Sequence, residues 1–286
     1  MKISIRARRL SRSGAGDTLV LALLLIGGAF SALPLVFAIS NAFKPLNELF
    51  IFPPQFFVRN PTLRNFQDLL VLMANSWVPM SRYVFNSLFI VLMGMAGNVL
   101  FASLAAFVLA KHKFPGNRLV NEMIVLSLMF APAVTAIPNY LTLSYLRMIN
   151  TYWAIIIPSW GSTLGLYLVR NFIDAMVPDS LLEAARIDGA SELRIYWQIV
   201  MPIIKPAWLT LTILLFQQLW GNTGGQFIYA EQLKPLPYAL NQIIAGGIAR
   251  QGIGAAATLI MMSIPIILFM INQSKIVETM STSGLD

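Results

Sequence analysis

Five charged residues crowd into residues 183–194 of a chain that otherwise keeps charge scarce: Glu183, Arg186, Asp188, Glu192 and Arg194. Carboxylates at this density could perform acid–base chemistry or hold a cation, but the helpers such chemistry needs are missing. There is no cysteine, hence no thiol nucleophile and no disulfide. The one histidine, His112, lies in the basic run KHKF and reads as a surface loop residue; one histidine cannot build a histidine-based metal cluster. No GxxxxGK[ST] loop is present to cradle nucleotide phosphates. What remains is a contact surface. Ala184, Ala185, Gly189 and Ala190 let another backbone approach closely. Charges of both signs suit a protein socket better than lipid headgroups, which favour lysine and arginine.

The local spacing predicts how this surface is shaped. Pro178 and Pro202 bracket an amphipathic helical segment, 178–202. Gly189 ends its first helix, because glycine enters the left-handed region at little cost. Ser191 caps a second helix, Glu192 to Val200, with Glu192 near the positive helix end. Pro202 is expected to stop that helix, and Pro206 suits the first turn of the next one.

The elements on either side are apolar. The 286-residue chain is 57% hydrophobic and only 11% charged, with a mean hydropathy of +0.70, against about 25% charged residues in a soluble domain. About 20 apolar residues in a helix cross a bilayer. Six stretches qualify: Thr18–Ser40, Val84–Ala110, Val120–Ser144, Tyr152–Arg170, Ile203–Asn222 and Gly254–Asn272. Backbone groups in lipid must be satisfied within the segment, so these are helices. The expected fold is all-α: a polytopic membrane protein with six transmembrane helices, residues 18–286 forming one transmembrane domain after the polar segment 1–17. The first apolar run is too long for a signal peptide's core and reads as a retained helix. Pro132 and Pro138 in MFAPAVTAIPNY predict a bent or broken third helix. With the N-terminus inside, thirteen of the twenty Lys and Arg residues fall on the inner side, which places both termini and segment 178–202 in the cytoplasm. The net charge of +8 is then membrane flanking charge facing lipid, not a nucleic-acid surface. The connections 41–83 and 223–253 lie outside; their aromatics and prolines are expected to pack on the outer surface.

The spacing Glu183-Ala184-Ala185, three residues, Gly189, nine residues, Ile199-x-x-Pro202 resembles the "EAA" loop of ABC importer permeases, and EAARIDGAS is close to the carbohydrate branch of the maltose-type family. NPTLRNF (60–66) and the stretch 129–158 are similar to the same family; Met201 stands where leucine is usual, and Trp220-Gly221-Asn222 departs from its Trp-Asn-acid pattern. The resemblance implies a MetI-like permease in a bacterial inner membrane that pairs with a second permease as a heterodimer. Two ATPase subunits would bind below and a solute-binding protein above. ATP and magnesium would reside on the ATPases, leaving this chain without cofactor or catalysis. It also implies that Glu183, Ala184, Ala185, Asp188, Gly189 and Pro202 form the ATPase-docking surface.

Polar residues inside membrane helices are costly and mark pathways or helix contacts. Candidates for a solute path are Asn86, Asn98, Ser103, Asn139, Gln217, Gln218 and Asn222, with Tyr140 and Trp220 as stacking surfaces. Amides beside aromatics suit a sugar. An acidic glycan, a polyamine or another solute carried by the same class are the alternatives, and an ion-coupled carrier is a further one. No row of membrane carboxylates favours that last reading.

Overall fold

The computed structural model describes residues 14–247 and 250–282, and these residues contain helices and turns but no strand. The long helices are α1 (Gly14–Phe43), α4 (Met80–Lys111) and α14 (Gln251–Thr282). Between α1 and α4 lie α2 (Leu46–Leu49) and α3 (Arg64–Ala74). After α4 come α5 (Asn117–Ser127), α6 (Pro132–Tyr145), α7 (Trp153–Trp160) and α8 (Thr163–Met176). An elbow follows: α9 (Asp179–Ile187), α10 (Glu192–Ile195), a π turn at Tyr196–Val200 and α11 (Met201–Ile203). The chain then continues through α12 (Lys205–Trp220) and α13 (Leu236–Ile244) into α14.

All six apolar stretches are helical, but only three form continuous helices long and apolar enough to cross a membrane: Thr18–Phe43, Met80–Lys111 and Gln251–Ile271. The pair Glu192–Ile203 and Lys205–Trp220 is long and apolar enough only when taken together, and is bent by 77° between its halves. The stretch 120–144 breaks at residues 128–131, where Pro132 opens α6, as its prolines predict. The stretch 152–170 is interrupted at Gly161–Ser162. There the Ser162 hydroxyl accepts from the Gly165 amide at 3.3 Å and starts a new helix. Such breaks persist where side chains or neighbouring helices satisfy the freed backbone groups.

Helix α4 is the axis of the bundle, packed against α7, α8, α12 and α13. Lipid tails are as apolar as leucine, so packing and interhelical hydrogen bonds hold such helices together. Close approach is built in. A Cβ on Gly97 would lie 2.0 Å from Trp160 Nε1, and one on Gly165 would lie 2.8 Å from Leu211. The Trp160 indole N–H donates to the Met93 carbonyl at 3.0 Å. Two apolar clusters result. One gathers Leu69, Ile90, Ile156, Trp220, Ile228 and Leu240 toward the start of α4. The other gathers Phe107, Ile173, Leu182, Ile195, Tyr196 and Ile204 at its end. Helix α1 packs on α14 and α3, yet leaves Leu19 to Ile26 and Phe30 exposed, which fits a helix apolar all round and facing lipid or another subunit.

Near its start, α4 clamps the connection between α12 and α13. The Asn86 side-chain amide donates to the Gln232 and Lys234 carbonyls at 2.9 and 2.8 Å, and its oxygen accepts from the Tyr152 hydroxyl at 2.7 Å. The Tyr83 hydroxyl donates to Glu231 at 2.7 Å, and Ser87 Oγ accepts from the Leu236 amide at 2.7 Å. The connection 41–63 is tied down by Glu48, whose carboxylate accepts from the Arg59 and Asn60 amides. Its aromatics do not all pack as expected: Phe52 and Phe57 stand out from the surface, as does Trp77 in the turn before α4.

Candidate functional site

The elbow follows its sequence closely. Helix α9 ends in a turn at Gly189, whose φ is +80°, with the Ala190 amide donating to the Ala185 carbonyl at 3.0 Å. A Cβ on Gly189 would meet nothing within 4 Å, so the position needs glycine for its backbone angle and not for room. Ser191 caps α10 by accepting from the Arg194 amide at 3.4 Å. Pro202 does not stop the helix as expected. The chain widens into the π turn, with the Met201 amide donating to the Tyr196 carbonyl, runs through Pro202, and bends at Ile204. A π turn re-registers the ladder where a regular one is interrupted, which accommodates a proline lacking its own N–H.

One face of the elbow is anchored. Leu182, Ile195, Tyr196, Val200 and Ile204 are buried in the cluster with α4 and α8. The Tyr196 hydroxyl lies 2.6 Å from Ser103 Oγ on α4. Lys111, at the end of α4, donates to Asp179 at 2.8 Å. This pairing holds the Asp179 carboxyl below its ordinary range, at a helix N-terminus that also favours negative charge. Arg186 Nε donates to Glu192 Oε1 at 2.7 Å, and His112 Nε2 lies 3.2 Å from Glu192 Oε2. The hydrogen bond from Arg186, with the Arg186 charge beside it, holds the Glu192 carboxyl low as well. His112 is therefore not a plain loop residue: it stands between α4 and the elbow.

The other face is free in this chain. Glu183, Ala184, Asp188 and Gly189 are exposed, and Ala185 is half-buried against the core. Ile187 is 86% exposed and Leu193 66%, apolar side chains that a free surface does not favour. Pro202 is set back in the helix that leads to the bend and lies on the outside of the fold. By type Ile187 belongs with Leu181, Leu182 and Ala185 on the apolar side of the amphipathic segment, yet it stands exposed; the sequence did not single out Lys111 or Leu193. Lys111 pairs with Asp179 across 68 residues, a contact that no local pattern carries.

The polar membrane residues divide into two groups. Asn98 is fully buried; its amide donates to the Ser159 carbonyl at 2.5 Å, and its oxygen has no hydrogen-bond partner among the described residues. Trp220 is buried, stacked on Phe216 at 5.6 Å, and donates to the Met261 carbonyl at 3.1 Å. Asn222 accepts from the Gly224 amide at 2.7 Å and shapes a turn. These three serve packing and turn formation within the chain, as Asn86 and Ser103 also do. The second group is open. Gln217 and Gln218 are exposed on α12, and Gln217 borders an apolar cavity of about 570 Å³. On α6, Asn139 is half-buried and Tyr140 is exposed; the Tyr140 ring stacks on Phe227 at 6.4 Å and its hydroxyl lies 3.2 Å from that of Tyr229. Asn150, at φ 63°, fixes the Tyr229 loop by accepting from the Tyr229 and Ala230 amides at 3.0 and 2.8 Å. Among the described residues no group of three His, Asp or Glu side chains could hold a metal ion.

The fold and sequence have known counterparts. A chain from the crystal structure of a bacterial ABC transporter involved in the import of the acidic polysaccharide alginate shares this fold. Its TM-score is 0.78, covering 93% of this chain and 98% of that one at 22% identity. Protein LplC of Bacillus subtilis is 30% identical over 223 residues, which is 76% of this chain and 71% of LplC. The polygalacturonan/rhamnogalacturonan transport system permease protein YtcP of the same organism is 26% identical, across 82% of this chain and 80% of its own length. The sulfoquinovosyl glycerol transport system permease protein SmoH of Agrobacterium fabrum is 27% identical, across 92% and 90%. The model of the family described as "binding-protein-dependent transport system inner membrane component" matches residues 7–279. Nearly the whole chain is thus accounted for by one family, and the protein belongs to it: it is a multi-pass permease component of a binding-protein-dependent transport system.

Proposed function

We propose that this permease carries carbohydrate, as half of the membrane channel of an ATP-driven importer, and that the elbow 178–204 is where an ATPase subunit grips it. The observation that carries the docking assignment is the elbow's two-sidedness. Its inner face is bonded to α4 and buried, while Glu183, Ala184, Ile187, Asp188 and Leu193 stand free beside the Gly189 turn. A partner that closes on ATP supplies the differential binding a two-state switch requires. The chain has no phosphate-cradling loop of its own, so nucleotide and magnesium belong to that partner and this chain is non-catalytic. The elbow and both termini face the cytoplasm. A second, different permease completes the channel, two ATPases bind beneath it, and a solute-binding protein delivers cargo to the far end. Solute contact falls to the open group, Asn139, Tyr140, Gln217 and Gln218, because Asn98, Trp220 and Asn222 are engaged within the chain.

The cargo reading rests on the relatives, which include permeases named for pectic and sulfoquinovosyl cargo. The test is uptake by vesicles holding the complete complex. We expect ATP-dependent, vanadate-sensitive accumulation of an oligosaccharide, lost in Glu183→Lys with the protein still in the membrane. Accumulation by this chain without an ATPase, or full uptake by Glu183→Lys, refutes the docking assignment. A narrower reading, acidic glycan cargo, is favoured by the far-end connections, where seven cations face only Glu48, Asp68 and Glu231. Equal competition by neutral and uronate oligomers removes it.

A further inference from the structure

Beside the elbow, a groove of about 960 Å³ opens between the end of α4, the length of α5 and Arg170 of α8; His112 and Lys113 separate it from the recess lined by Asp179, Glu183 and Glu192. Its polar lining brings together three cations, Lys113, Arg118 and Arg170, with His112, Asn117 and Asn121 beside them. The one carboxylate in the lining, Glu122, is bonded to Arg118 at 2.9 Å. Arg170 meets Asp174 through one nitrogen at 3.4 Å, and its Nε is buried with no hydrogen-bond partner among the described residues. A guanidinium carries five donors, so this one has several to spare. Orphaned buried donors are rare enough that each needs a cause. Helix α5, of 11 residues, begins in the groove after Gly116 and has no side-chain cap, so its first amides add to the positive field. Away from this rim the wall is apolar, formed by Leu109, Val125, Leu126 and Met129. Helix α5 itself buries no residue, and Leu119 and Met123 are 61% and 60% exposed.

We propose that this groove is a binding site for an anionic phospholipid, with the headgroup phosphate held by Lys113, Arg118 and Arg170 and an acyl chain laid along Leu109, Val125 and Leu126. A cationic rim above an apolar wall, at the end of membrane helices, matches the two-part chemistry of such a lipid. Free phosphate would use the rim and leave the wall empty. The chain's own N-terminal segment is a poor occupant, because residues 1–12 carry Lys2, Arg6, Arg8, Arg9 and Arg12 and no acid. The site also adjoins the elbow, since the His112 ring lines the groove while its Nε2 faces Glu192.

Native mass spectrometry of the detergent-purified complex, titrated with phosphatidylglycerol or phosphatidylcholine, tests this. We expect selective retention of phosphatidylglycerol, with affinity falling roughly thirtyfold in Lys113→Gln/Arg118→Gln, at about fivefold per cation removed. Both side chains are exposed, so the variant folds. The control pair Arg194→Gln/Lys205→Gln removes cations of the same end outside the groove and should change affinity by less than about twofold. Leu126→Trp keeps every charge and fills the wall; it should also lose the lipid, and excess inorganic phosphate should compete only weakly. Equal losses in the two double variants reduce the effect to general surface charge and overturn the proposal. Retention unaffected by Leu126→Trp but abolished by phosphate shows a phosphate site instead. No retention by the unaltered complex, with a photoreactive lipid failing to label α5, shows that a partner subunit covers the groove.

Discussion

Gly189 offers a sharp test, because backbone angle and side-chain room make opposite demands there. Its φ is +80°, and a Cβ would meet nothing within 4 Å. Within this chain, then, a side chain at 189 costs only the left-handed backbone, about 1–2 kcal/mol for alanine. Asparagine enters that region several times more readily than other residues, so its cost is smaller although it is larger. Undocked, the 188–190 turn of a variant can relax to an ordinary angle; docking must restore the bend. The relaxation energy then appears in the affinity for the ATPase. At 1.4 kcal/mol per tenfold, Gly189→Ala weakens docking by about 5- to 30-fold, and Gly189→Asn by only a few-fold. The measurement is a titration of ATPase subunit onto the permease in nanodiscs, with the thermal unfolding of each variant recorded alongside. Asparagine as damaging as alanine, or more so, refutes the backbone argument and points to steric contact with the partner. Alanine indistinguishable from glycine shows that the bend plays no part in docking.

Three further outcomes follow from the hydrogen bonds. Asn86→Ala takes its donor from the Lys234 carbonyl, while the Gln232 carbonyl and the Tyr152 hydroxyl still accept from Arg82; it should cost about 1–2 kcal/mol by equilibrium unfolding, and a loss below about 0.5 kcal/mol would put the Lys234 carbonyl in reach of water. Tyr196→Phe removes one buried bond while Ser103 keeps its own α4 carbonyls, so a stability loss of only about 1 kcal/mol is expected, with elbow protection in hydrogen exchange reduced. The Glu48 carboxyl is held below its ordinary 4.5, first by the Arg59 amide and then by Asn60. A lowered folded value means that its contribution is whole above pH 4.5 and disappears as pH falls through the folded value. Hydrogen exchange of residues 41–63 should therefore accelerate in acid, and Glu48→Gln should flatten that particular dependence; an unchanged profile would show that Glu48 does not govern it.

What the sequence discloses here is mostly what neighbouring residues decide. Apolar runs located helical stretches, Gly189 the turn, Ser191 the cap and Pro206 the start of α12. Pro202 misled because its effect depends on the rung above it: a π turn at Tyr196–Val200 lets the helix pass. The interruption at Gly161–Ser162 is a glycine beside a capping serine inside an apolar run, where run length alone does not reveal it. At the site, the exposed residues of the elbow were legible from their types. Its anchorage by Lys111, His112 and Ser103 was not, since those contacts join positions 68 to 93 residues apart. For the same reason Asn98 and Trp220 looked available: an amide or indole in a membrane helix reads alike whether its partner is cargo or a neighbouring backbone.

Helix α4 is gripped near both of its ends, by Asp179, Glu192 and Tyr196 around its last turns and by the 231–236 connection around its first. Its 32 residues make a strut about 48 Å long. A strut fastened at both ends behaves as a connecting rod: displacement imposed at one bearing arrives at the other without a relay of rotamer changes in between. Synchrony between the two mouths of the channel then comes from mechanics, and lengthening the rod by a residue in its middle would put them out of phase.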